Sequence, residues 1–115
     1  MAELRLSRPL ALERRAALTA VLDGATERSP RAVVDELQQR ADSNAMVVLG
    51  LLAQQGALLE AEQAHVPAGR REAVAQKRLN ALVVKGDTAQ HAAALSEYLR
   101  LAECGVSAYL RERGT

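Results

Sequence analysis

The chain reads as an all-α, single-domain bundle of about five helices packed around a long, buried central helix. Three observations predict this. The apolar mass is almost entirely Ala, Leu and Val, with no Phe, Trp or Ile and only Tyr98 and Tyr109 as aromatics. Ala and Leu favour helices, whereas strands favour β-branched and aromatic residues. Apolar residues recur mostly at helical spacing. The middle of the chain, Ala45 to Ala53, is a nine-residue run without a polar side chain. A length of 115 residues fits one domain, 1–115.

The expected helices follow the punctuation. Ser7 and Pro9 start the first (9–23), and Asp23-Gly24 ends it. Ser29 caps the second (30–42), with Pro30 in the first helical position, where its missing N–H costs nothing. Val33, Val34, Leu37 and Ala41 give it an apolar side. Asp42-Ser43-Asn44 breaks the chain or caps the next helix; a short break is favoured over one helix spanning 30–65. The central helix (44–65) stops at Pro67-Ala68-Gly69. The fourth (70–85) stops at Gly86. Asp87 caps the fifth (88–111), with Gln90 as a capping-box partner. Leu82-Val83-Val84 is the one weak strand signal.

The central helix carries a stripe of small residues, Gly50, Ala53, Ala57, Ala61 and Ala64, within about 80° of the helical wheel. Such a stripe admits another helix closer than the usual 8–10 Å between axes. The partner is a neighbouring helix of the same chain or a second copy. Val48, Leu52 and Leu59 point one way and Val47, Leu51 and Leu58 another, so the helix must be surrounded. An alanine-rich core contributes little per residue at roughly 25 cal/mol per Å2 of apolar surface. Association is a common remedy in small scaffolds, and a homodimer is expected.

Two further groupings are candidates. His91, Tyr98 and Tyr109 share one edge of the last helix and offer an interface edge, since Tyr is enriched at protein interfaces. Arg70, Arg71, Lys77, Arg78 and Lys85 form a basic arc on the fourth helix, suited to an anion or nucleic-acid backbone. Val74 and Ala81 interrupt that arc, and no aromatic is nearby for base stacking. A helix-turn-helix with its turn at Asp42-Ser43 fails, because the reading helix would present Ala45 to Leu49 to the bases.

The chemistry of an enzyme is not written here. His65, His91 and Cys104 are scattered, without metal-ligand spacing. Neither histidine is followed by the Lys-Gly pair of histidine phosphotransfer domains. Glu60 and Glu62 do not face one another on a helix. No metal, cofactor or catalytic residue is expected. The net charge of +1 gives no global field toward nucleic acid or membrane. A lone cysteine, the absence of a signal-peptide pattern and an apolar run well short of about 20 residues predict a cytoplasmic protein with no membrane span. The expected function is a non-enzymatic interaction module (adaptor, chaperone or assembly subunit) whose partner is a second copy, another protein, or both. A nucleic-acid-associated regulator is the alternative.

Overall fold

Helix α1 (Pro30–Arg40) begins where the sequence places it, because Ser29 Oγ accepts the Ala32 N–H at 3.2 Å. A computed structural model describes residues 20, 22–23, 29–40, 42–83 and 88–114. Helix α1 buries Val33, Val34 and Leu37 and is described to Arg40, and the expected last residue, Asp42, is not helical. The Asp42 backbone is extended (φ −80°, ψ 170°), and its Oδ1 accepts the Ala45 N–H at 2.9 Å. Arg40 Nε donates to the other carboxylate oxygen at 3.0 Å. One residue thus breaks α1 and caps α2 (Ser43–Gln63), so 30–65 is two helices.

Helix α2 is enclosed through most of its length. Ala45, Val48, Leu49, Leu51, Leu52, Ala53, Gln55, Gly56, Ala57 and Ala61 are buried, on several faces of the cylinder. Helices α1, α3 (Arg71–Val83) and α4 (Thr88–Gly114) all pack against it, α4 most extensively. By length and composition alone α2 is also long and apolar enough to cross a bilayer, but more than half of that stretch lies inside the protein, as in a core helix.

The end of α2 is set by backbone geometry rather than by Pro67. His65 adopts a left-handed conformation (φ 61°). Its N–H donates to the Glu62 carbonyl, and the Val66 N–H donates to the Ala61 carbonyl, each at 3.0 Å. These are the paired bonds of a Schellman motif, with histidine where glycine is usual. A 3-10 turn (Ala68–Arg70) then leads into α3, which buries Ala75 and Leu79. Leu82 and Val83 are helical, and no strand occurs among the described residues.

Helix α4 continues to Gly114, beyond the expected 111. It buries Ala94, Leu101, Ala102, Gly105, Val106, Ala108 and Tyr109. The expected first helix, 9–23, falls mostly outside the described residues. Its Ala20, Leu22 and Asp23 are helical, and Leu22 is fully buried in the common core. Gly86 and Asp87, the expected stop and cap between α3 and α4, also lie outside the described residues.

Candidate functional site

The small residues of α2 lie in different surroundings. Ala53, Ala57 and Ala61 are buried within the single chain. Gly50 is half-buried, and Ala64 is exposed at the helix end. A backbone-to-backbone helix contact lies elsewhere, at a glycine outside the stripe. A Cβ on Gly56 would collide with the Leu101 carbonyl of α4, and a Cβ on Gly105 would collide with the Leu52 carbonyl of α2. The contact is reciprocal: Leu52–Gly56 of one helix lies on Leu101–Gly105 of the other. Each glycine sits four residues after the leucine whose carbonyl its counterpart faces, on one helical face. Only a residue without a side chain permits this approach. The signal was present in the sequence, since a glycine inside a helix is unfavourable and calls for a packing reason.

The start of α2 is its open end. Met46 is 54% exposed and Val47 is 39% exposed. One turn on, Gly50 lies beside the Tyr98 hydroxyl, which stands 3.4 Å from where a Cβ would be. Tyr98 is half-buried, and that burial raises the pKa of its phenol. Leu95, one turn before Tyr98 on α4, is also exposed. Gly50 and Tyr98, from separate sequence groupings, are therefore neighbours. The other members of the expected tyrosine edge diverge. His91 is exposed. Tyr109 is buried, with its hydroxyl 3.3 Å from Asp23 Oδ1, a hydrogen bond that ties α4 to the segment containing Leu22.

The basic residues of α3 are likewise divided. Arg70 and Lys77 are exposed, and Lys85 lies outside the described residues. Arg71 Nε donates to the Val66 carbonyl at 2.8 Å, closing the turn that precedes α3. Arg78 pairs with Glu60 of α2 and, at 3.0 Å, with Glu97 of α4. Arg100 of α4 pairs with Glu60 at 2.8 Å and with Glu97, where its Nε lies 2.7 Å from Oε1. Two guanidinium groups and two carboxylates thus alternate where α2, α3 and α4 meet. Hydrogen bonding from Arg100, opposed by burial and reinforced by the charge of Arg78, holds the Glu60 carboxyl below its ordinary range. The same carboxylates raise the pKa of Arg100. Charge-assisted bonds of this kind are stronger than neutral ones.

Glu97 and Arg100 also form part of a cleft of about 460 Å3 between α1 and α4. Arg31, Asp35 and Glu103 add charge to its walls, while Val34 and Leu99 supply apolar surface. Among the described residues, no three His, Cys, Asp or Glu side chains are grouped so as to hold a metal ion. Cys104 is half-buried. The arrangement offers surface and charge for recognition. Comparison with protein-family models, curated proteins and solved structures finds no significant match.

Proposed function

We propose that this chain is a non-enzymatic, cytoplasmic helical interaction module that acts through protein–protein contacts, including contact with a second copy of itself. The observation that carries the reading is the solvent exposure of Met46 and Val47 at the start of a helix whose other apolar side chains are buried or half-buried. A flexible, polarizable methionine adapts to varied partner shapes, and methionine and tyrosine are enriched at interfaces. Gly50 lies one helical turn on from these side chains, with the Tyr98 hydroxyl beside it.

The nucleic-acid alternative has less support. Arg78 is engaged by two carboxylates and Arg71 by a backbone carbonyl, which leaves Arg70 of the 3-10 turn and Lys77 of α3 as the exposed cations of this arc among the described residues. Two dispersed cations neutralise few phosphates, so affinity from counterion release would be small.

Light scattering at high micromolar concentration tests the self-association. The expected mass is twice the 12.3 kDa of one chain, falling to one chain in a Met46→Glu, Val47→Lys double variant that keeps its helical circular dichroism. A monomer under all conditions removes the homodimer. Capture of a partner by the native chain but not by the double variant would then carry the module on hetero-association alone. Binding to DNA or RNA that falls steeply with salt and is lost on reversing Arg70 and Lys77 would favour the alternative.

A further inference from the structure

We propose that α3 is a detachable arm, held on the bundle by an ionic latch and able to leave the α2–α4 core as a unit while that core stays folded. The inference is independent of the partner proposed above. It rests on how unevenly α3 is attached. Among the described side chains of α3, Ala75 and Leu79 are the buried core, with Leu82 packed against it at the edge. Val74 faces solvent. The neighbouring α2 buries ten residues. An arm with so little buried apolar surface belongs at the low end of local stability.

Arg78 is the tie across the junction, reaching Glu60 on α2 and Glu97 on α4. The side chains of Arg78, Glu60 and Glu97 are 39%, 26% and 34% exposed, so water and salt reach the pairs. The arrangement of partners makes release reversible. Arg100 is bonded to the same two carboxylates. When Arg78 departs, Glu60 and Glu97 keep a cation, and no partly buried charge is stranded. Stranding of a charge is what makes breaking most buried ion pairs so costly. A pivot is also present. Between α2 and α3 lie the left-handed His65, Pro67 and Gly69, the last with open space around it. The Arg71 bond to the Val66 carbonyl spans Pro67 and Gly69, and Val66 is itself held by the Ala61 carbonyl of α2, so this bond marks the hinge end that stays in place.

Native-state amide hydrogen exchange on the full chain tests the latch. Amides of 71–83 are expected to exchange through an opening that leaves 48–60 and 98–110 protected, with protection at least about tenfold lower than in those stretches. Raising salt from about 0.05 M to about 0.5 M, which shortens the screening length severalfold, is expected to lower α3 protection by a further factor of about 3 or more, with the core stretches unchanged. Arg78→Ala should act like high salt and weaken the salt response, while Arg78→Lys should keep more of it. Exchange of α3 in step with α2 and α4, or α3 protection indifferent to salt, overturns the proposal. If Arg78→Ala does not fold, the salt series on the native chain decides alone.

Discussion

At the scale of single residues, Gly56 and Gly105 are the most constrained positions described. Alanine favours a helix interior over glycine by about 1 kcal/mol. Here the added methyl meets the backbone of the opposite helix, which cannot rotate aside as a side chain would. Gly56→Ala and Gly105→Ala are each expected to destabilise the protein by about 2 kcal/mol or more, measured by urea unfolding. Gly69→Ala, with nothing within 4 Å, should stay within about 0.5 kcal/mol of the native chain. Equal effects at all three positions would exclude a tight crossing. Gln55 presents the opposite situation. It is 7% exposed, and its Oε1 accepts no hydrogen bond. Replacing a buried, unsatisfied amide by an apolar group of similar shape removes a desolvation penalty. Gln55→Met should raise stability by about 1 kcal/mol, and a clear loss would show that the amide has a role in holding the core.

At the scale of elements, capping decides where helices start and stop. Asp42 both ends α1 and caps α2. The Ala45 N–H, followed by the Arg40 guanidinium, holds its carboxyl below the usual aspartate value. Asp42→Ala should lower the unfolding midpoint, and Asp42→Asn, which still caps, should recover most of the loss. Thermal melts at neutral pH separate the two; equal midpoints for both variants would mean that the cap itself matters little. This local chemistry is why helix starts were legible. Ser29-Pro30 and Asp42 act on residues three positions away, within one window of sequence. The end of α2 was less legible, because the left-handed residue is a histidine, and Pro67 drew attention to a later point. The crossing was missed for a different reason. Sorting small residues by helical wheel selects the longest stripe, and Gly56 lies about 120° from Gly50. The Arg–Glu junction could not be read at all, since Arg78 is 18 residues from Glu60 and 19 from Glu97. Only the folded arrangement of three helices brings them together.

At the scale of the whole molecule, the junction joins charge state to fold. The folded chain holds the Glu60 carboxyl below its ordinary value, so the folded state takes up that proton less readily than the unfolded one. The resulting stabilisation is complete at neutral pH and drains away as pH falls through the ordinary glutamate value, about 4.3, and below. Glu60→Gln should therefore be less stable than the native chain at pH 7, and the difference should narrow toward pH 3. Unfolding midpoints at a series of pH values test this; a gap that stays constant with pH would mean that the carboxylate charge is not what stabilises the junction. The enclosed α2 organises everything else, with α1, α3 and α4 packed around it.

The reciprocal glycines also bear on descent. Two helices that touch backbone to backbone leave no room for drift by compensation, because shrinking a neighbouring side chain cannot make space where the obstacle is a carbonyl. Any lineage that keeps this crossing must keep glycine at both Gly56 and Gly105, or lose both together and part the helices. Comparison of descendants should thus show two fixed points on separate helices, 49 residues apart along the chain, changing only as a pair.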